Sequence, residues 1–347
     1  MSPPHAGGAA ADHDVLIVGA GPAGLAAAVR LRALAARVLV VDRLALPRRR
    51  ALPAWLGPAG VALCDECGLS AKDVGAREFA GLRLHPWELG ESVLAADDAL
   101  RGWIVDRQHI DAALVARARA AGVEVRDRTT VRALHLGEQS ITAELEPGGA
   151  VTAGIALLAG GTAELVGTPG RTTSWAAGEA GVCCAQVVVP HVADEAGLDV
   201  VLGGRAAPLA AIVRSPDAVR LTLVGREDEA AVRAALPELW TAAVAAGLAP
   251  STAGALPEPT IVRAGEALDF YTHAGKRELL IGEAGGFAAG FSAETVYPAM
   301  LSGWIAAEVA GRALAAERVQ EALAEFGLEW RARLADYLRS PNADLSL

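Results

Sequence analysis

Three glycines close behind a short apolar run constrain this chain more than any other feature. Val15 to Val18 are continuously apolar, the pattern of a strand buried on both faces. Gly19, Gly21 and Gly24 follow at G-x-G-x-x-G spacing and lead into a helix rich in Ala and Leu. Such a turn needs a glycine for its sharp bend, one where the backbone approaches a pyrophosphate, and one where helix lies against strand. The free N–H groups and positive dipole end of the helix then face the phosphates. A second apolar strand, Arg37 to Val41, ends in Asp42, 18 residues past Gly24. A carboxylate there accepts hydrogen bonds from an adenosine ribose and repels a 2′-phosphate, so the site suits FAD or NAD better than NADP. Strand before, helix after and acid at the right distance together predict a dinucleotide site.

The charge balance narrows the partners. Lys and Arg number 31 against 41 Asp and Glu, a net charge of −10, and the basic residues are scattered. A nucleic-acid partner needs a basic face, and none is expected. The one basic run is Arg48 to Arg50, read either as a solvated loop or as a phosphate contact beside the cofactor. Residues 1–13 are small and Gly/Ala/Pro-rich, the composition of a disordered tail without signal-peptide character. No uncharged apolar segment reaches the ~18 residues of a membrane span, so a cytoplasmic location is expected.

Four cysteines form two pairs, Cys64 with Cys67 and Cys183 with Cys184. No histidine sits at ligand spacing, so no metal site is expected, and the thiols read as reduced residues in or near a core, with a redox-active pair as the alternative.

The coarse pattern is α/β. Helices are expected over 59–67, 112–121, 227–246, 294–314 and 315–338. Phe79 to His85 and Val123 to Arg126 read as strands. Val131 to Leu136, Ile141 to Leu145 and Val151 to Leu158 read as a small antiparallel meander, and Gly160 to Gly181 as a loop. Val182 to Val189, Ala207 to Val213 and Val219 to Val224 suggest a second sheet. The plan is a Rossmann-like nucleotide-binding domain built from both chain ends (14–180 and 265–314), a mostly antiparallel β-rich substrate domain (181–264) and a C-terminal helix in 315–347.

Three stretches carry a family likeness: Gly19 to Asp42; Trp103 to Leu114, with Asp106, Arg107 and Asp111; and Leu279 to Glu308, with Gly282, Glu283, Gly285, Gly290 and Gly303. In order and spacing they resemble the FAD-dependent oxidoreductases that include p-hydroxybenzoate hydroxylase-type monooxygenases, geranylgeranyl reductase-like enzymes and tryptophan-halogenase-like proteins. The resemblance covers the chain ends well and the middle poorly. It implies FAD held by Gly19, Gly21, Gly24, Asp42, Arg43, Arg107, Gly282, Glu283 and Gly290. Arg107 matches an arginine near the pyrophosphate. Glu283 stands one methylene longer than the family's aspartate on the ribityl or ribose side. The turn from Gly285 to Ser292 would aim the following helix N-terminus at the flavin, favouring its reduced, negative form.

The chain also departs from the pattern. Monooxygenases of this kind carry Ala-Asp-Gly where this chain has Ala159, Gly160 and Gly161, which removes a contact to FAD and bears on NADH or NADPH as electron donor. The halogenase Trp-x-Trp-x-Ile-Pro stretch is absent, and the only lysines are Lys72 and Lys276. The favoured expectation is a flavin monooxygenase hydroxylating a small aromatic or natural-product intermediate. A double-bond reductase, a halogenase-like flavoprotein modifying a side chain of a partner protein, and a non-catalytic FAD-binding partner stand as alternatives, and a separate reductase remains open as electron source. His85, Trp87, His273 and Tyr297 are candidates to face the substrate, with no catalytic residue assigned.

Overall fold

The structure is a computed structural model. It describes residues 11–48, 52–95, 101–160, 182–191, 196–205, 207, 209–225, 229–252, 254–264, 267–287 and 294–339. Most of the expected tail, residues 161–181 of the expected loop and Gly290 therefore lie outside the described residues.

In chain order the elements are β1 (His13–Val18), α1 (Pro22–Ala33), β2 (Val38–Val41), β3 (Pro53–Leu56), α2 (Pro58–Glu66), β4 (Arg77–Ala80), β5 (Leu82–Pro86), β6 (Val93–Ala95), β7 (Arg101–Asp106) and α3 (Arg107–Ala120). There follow β8 (Glu124–Arg126), β9 (Thr130–Leu136), β10 (Ile141–Glu146), β11 (Gly149–Leu158), β12 (Val182–Pro190), β13 (Gly197–Leu202), β14 (Leu209–Arg214) and β15 (Ala218–Gly225). The last are α4 (Glu229–Ala245), β16 (Thr260–Ala264), β17 (Glu278–Leu280), α5 (Val296–Ala313), α6 (Val319–Ala324) and α7 (Phe326–Leu338).

The first sheet runs β8-β2-β1-β11-β10-β9, with β17 also on β11. β1 lies parallel to both β2 and β11, with Ile17 opposite Val40 and Leu157. The expected meander is present, but it is continuous with the parallel sheet because β11 is long enough to serve both. Alanine explains the next layer. Ala26, Ala27 and Ala28 of α1 are fully buried, so the helix is covered on every side. It packs on α5 so closely that a Cβ on Gly303 would meet the Ala23 carbonyl oxygen at 2.0 Å. Larger side chains would force the two helices apart.

The second sheet runs β16-β12-β15-β14-β13-β5-β6, and it takes β5 and β6 from the N-terminal half of the chain. One face carries Val187, Ile212 and Leu221 against Val232, Leu236 and Trp240 of α4. On the other face Leu198 and Val213 pack with Ile104 of the three-stranded sheet β3-β7-β4.

Several expectations need correction. The strand expected over Phe79 to His85 is two strands in different sheets, divided at Gly81 with φ 107°. The helix expected from Ala112 starts at Arg107, because the Asp106 carboxylate accepts the Gln108 N–H at 2.9 Å and caps it. The helix expected over 315–338 is broken into α6 and α7, so that Phe326 and Trp330 fold back onto His273 and Phe287. β13 went unrecognised because its centre is a buried acid, Asp199.

Candidate functional site

The glycine turn has the expected form. Gly19 has φ 108°, and a Cβ on Gly24 would lie 2.0 Å from the Gly19 carbonyl oxygen. Gly21 is the N-cap of α1. No side chain caps this helix, Pro22 follows, and the first turn holds no acid. Its early N–H groups are therefore left for an acceptor from outside.

Asp42 is buried at the end of β2. Its Oδ2 accepts the Ala20 N–H at 2.7 Å, tying the strand end to the turn, and its Oδ1 accepts the Leu44 N–H at 2.8 Å. Arg48 pairs with the same carboxylate, and its guanidinium lies beside Gly21, with Nη1 3.7 Å from where a Cβ would stand. Of the two readings of the basic run, the structure thus favours the one beside the turn for Arg48. Arg49 and Arg50 lie outside the described residues. Arg43 is exposed at the rim.

The far end of the chain returns to the same place. Gly282, with φ 59°, sits against Ala23 in the first turn of α1, its added Cβ only 2.8 Å from that methyl. Ser302 of α5 receives the Gly282 N–H at 2.9 Å and fixes the turn. Glu283 is half-buried and interacts electrostatically with Arg107. Arg107 is not a surface arginine: its side chain is 16% exposed, and its Nε donates to Asp111 Oδ1 at 3.0 Å. Burial opposes its charge, but Asp111 and then Glu283 outweigh that, so its pKa lies above the ordinary arginine value. Asp42, Arg48, Gly21 and Gly282 thus line the first turn of α1, and Glu283, next to Gly282, links that line through its charge to Arg107. Gly160, at the aspartate position of the expected Ala-Asp-Gly, is exposed, and among the described residues beyond its chain neighbours no atom lies within 4 Å of an added Cβ.

Beyond Arg107 the line meets the second sheet. Cys184 feels the charges of Arg220 and Glu283, and Arg220 feels that of Arg107. Arg220 is 2% exposed, in the middle of β15. Burial, with the like charge of Arg107 adding to it, pushes its pKa down to about 10, so it stays a cation at neutral pH. Sequence reasoning missed it. The available signal was a charge within the apolar stretch Val219 to Val224, in phase with Thr222.

The four substrate-facing candidates lie elsewhere. His85 joins a buried cluster, with Nε2 at 2.8 Å from Asp199 Oδ1 and Arg214 Nη2 at 3.0 Å from Asp199 Oδ2. Trp87 packs onto the core under α4. His273 is 1% exposed, stacked among Phe270, Phe287 and Trp330, and its Nε2 lies 2.7 Å from the Gly285 carbonyl oxygen. Its place is to hold the turn that follows Gly282. Tyr297 sits in the first turn of α5, its ring edge-on to Tyr337 at 5.0 Å. Beside it, Glu294 is buried and meets the Tyr337 hydroxyl, and burial pushes its pKa up to about 8. Cys64 and Cys67 are both fully buried, with thiols raised to about 12 chiefly by burial. Among the described residues no group of His, Cys, Asp and Glu could hold a metal ion, and no helix is long and apolar enough to cross a membrane.

Comparison with known proteins agrees with this geometry. Residues 12–152 match the model of the FAD binding domain family. The fold matches a geranylgeranyl bacteriochlorophyll reductase-like protein from Thermoplasma acidophilum, with a TM-score of 0.76 and 17% identity over 92% of this chain and 83% of that one. It matches the myxobacterial chondrochloren halogenase CndH, with a TM-score of 0.73 and 19% identity over 94% of this chain and 80% of that one. It also matches pqsL from Pseudomonas aeruginosa, a probable FAD-dependent monooxygenase, with a TM-score of 0.67 and 18% identity over 91% of each chain. A sequence comparison with curated proteins finds no match. Residues 12–152 are thus similar to the FAD binding domain family, and the chain shares the fold of these structures.

Proposed function

We propose that the chain is a flavin monooxygenase that hydroxylates a small aromatic or natural-product intermediate. The observation that carries this reading is the line from Asp42 to Arg107, which ends at the face of a second sheet. FAD fits it. The uncapped N–H groups of α1 and the Arg48 guanidinium suit a pyrophosphate, and Asp42 suits the adenosine ribose. Arg43 would meet the adenosine side of the cofactor, Arg107 its phosphates, and Gly282 and Glu283 its ribityl side. Gly290 follows in sequence, outside the described residues. When bound, FAD supplies hydride and, with O₂, oxygen-transfer chemistry. The protein's own part is to hold the cofactor, orient the substrate and exclude water. Leu209, Ala211 and Val224 offer an apolar wall for the last task.

Gly160 favours a variation on this reading. Without a carboxylate there, electrons come from a separate reductase rather than directly from NADH or NADPH.

The test is to load the chain with FAD, record the flavin band near ~450 nm, and add NADH or NADPH without oxygen. Bleaching by either nucleotide supports a complete enzyme. A band that bleaches only with a partner reductase supports the Gly160 variation. Oxygen uptake with candidate aromatics separates hydroxylation from double-bond reduction. A chain that cannot be loaded with FAD would sink the proposal.

A further inference from the structure

α1 and α5 run side by side in the same direction. Gly303 of α5 meets Ala23 in the first turn of α1, and Gly311 meets Leu34 just past its end. α5 begins at Val296, about two turns before Gly303. At 1.5 Å per residue it therefore overhangs the N-terminus of α1 by about 10 Å. The overhang lies on the side of Gly282, whose N–H is held by Ser302 of α5 and whose added Cβ would stand 4.0 Å from Ala299. A dinucleotide with its pyrophosphate on α1 and its ribityl chain beside Gly282 would thus extend towards the free end of α5.

Glu294 stands at that end. It is 2% exposed and directly precedes the N-cap Thr295, whose own side chain makes no capping bond. Its Oε1 accepts the Tyr297 N–H at 3.1 Å, and its Oε2 meets the hydroxyl of Tyr337. The titratable groups around it come from three helices: Tyr297 on α5, Tyr337 on α7, and Cys64 on α2, whose thiol feels the Glu294 charge. Arg333 of α7 acts in turn on Tyr297. Burial lifts the Glu294 carboxyl to about 8, against the pull of the Tyr297 N–H, so its charge changes near neutral pH. Protonated, it leaves the end of α5 positive. Ionised, it sets a negative charge against that end.

We infer that Glu294 is a proton acceptor coupled to flavin reduction: it binds a proton as the cofactor gains electrons, and so keeps the end of α5 free of negative charge beside the reduced ring. The inference deepens the flavin oxidoreductase reading and rests on it. The balance is as follows. A reduced nicotinamide or a partner reductase gives up two electrons. The flavin takes them with one proton at N5 and is left with one negative charge. The Glu294 carboxylate takes a second proton from solvent, and an O–H bond forms there. If Glu294 stayed ionised, its charge would oppose that of the reduced flavin. Two unit charges about 10 Å apart at an effective dielectric of about 20 shift each other's equilibria by roughly tenfold. Glu294 acts here through the charge it presents, as a tuning residue, and takes no part in oxygen transfer.

The experiment uses the full chain loaded with FAD, reduced without oxygen against a reference dye from about pH 6 to about pH 10. At the acid end, wild type and Glu294→Gln should hold the same ratio of reduced to oxidised flavin. At the alkaline end, wild type should hold about tenfold less reduced flavin than the variant. Glu294→Asp keeps an acid and should keep an inflection. Tyr337→Phe removes a donor to the carboxylate and should move the inflection to higher pH. An acid kept only to link α5 to α7 would alter the melting temperature of these variants and leave their reduction profiles parallel to wild type. Parallel profiles for wild type and Glu294→Gln, or a difference that grows towards acid, would overturn the inference. A second measurement needs wild type alone: the infrared difference spectrum of reduced against oxidised protein near pH 8.5 should show a carboxyl group becoming protonated. Its absence would overturn the inference even if Glu294→Gln failed to fold. A chain that takes up no FAD overturns the flavin reading and this inference with it, whereas bound FAD with parallel profiles overturns this inference alone.

Discussion

Gly24 and Arg107 show how single residues set the site. At Gly24 the nearest obstacle to a side chain is the Gly19 carbonyl, a backbone atom that cannot swing aside. Gly24→Ala should therefore destabilise the chain by about 1–3 kcal/mol and weaken FAD binding with it, as urea denaturation and FAD titration would read. Wild-type stability and FAD affinity in that variant would contradict the close helix–strand contact. Arg107 holds a buried carboxylate on one side and faces Glu283 on the other. Arg107→Ala leaves Asp111 buried without that partner. It should lower both stability and FAD affinity, each by about 1.5–3 kcal/mol. Arg107→Lys should restore the charge but not the fork, and so recover only part of the loss. An Arg107→Ala protein that binds FAD as wild type does would remove Arg107 from the cofactor site.

At the scale of elements, the ends of helices matter more than their middles. Glu294 stands just before α5 and meets Tyr337 on α7, so one carboxyl links the start of one helix to the end of another. Its pKa is raised from 4.5 to about 8, mainly by burial. An acid with a raised folded pKa stabilises the fold fully below its unfolded value, and loses that contribution as pH climbs through the folded one. Wild-type stability should thus fall between about pH 4.5 and 8 relative to Glu294→Gln, whose melting temperature should vary less across this window. Parallel pH profiles for the two proteins would refute the buried-acid assignment. α2 makes a second case. Cys64 and Cys67 are spaced like a redox motif, yet both thiols are buried and hard to ionise. Iodoacetamide at pH 8 should leave them unmodified in the native chain and label them after unfolding. Rapid native labelling would reopen a redox role.

At the scale of the whole molecule, elements from the two halves of the sequence meet in one domain. α1 and α5, nearly 300 residues apart at their outer limits, are pressed together at Ala23 and Gly303, and β17 returns to pair with β11. FAD lying along that junction would stabilise both ends at once. Saturating FAD at about 100 times its dissociation constant should add about 2.7 kcal/mol to the unfolding free energy. A melting temperature indifferent to FAD would argue against a site at the junction. Much of this half was legible beforehand, because its signals are local. The Gly19 to Gly24 spacing, the apolar strands and Asp42 each declare themselves within a few residues. The family likeness tied Arg107 and Glu283 to the same cofactor, and the structure brings these two together. Other features depend on what a residue meets in space. His85, Trp87 and His273 looked available for chemistry, and packing withdrew them into an ion cluster, the second sheet's core and an aromatic cluster, respectively. Arg220 gave only the faint signal of a charge in an apolar strand. Its meaning came from strand register, which buries it on the face of β15 opposite α4, within reach of the Arg107 charge. The sequence by itself determined where a nucleotide could be gripped, since that grip is built from adjacent backbone groups. Only the tertiary structure decided which side chain was left buried and uncompensated, because that depends on partners supplied from distant strands.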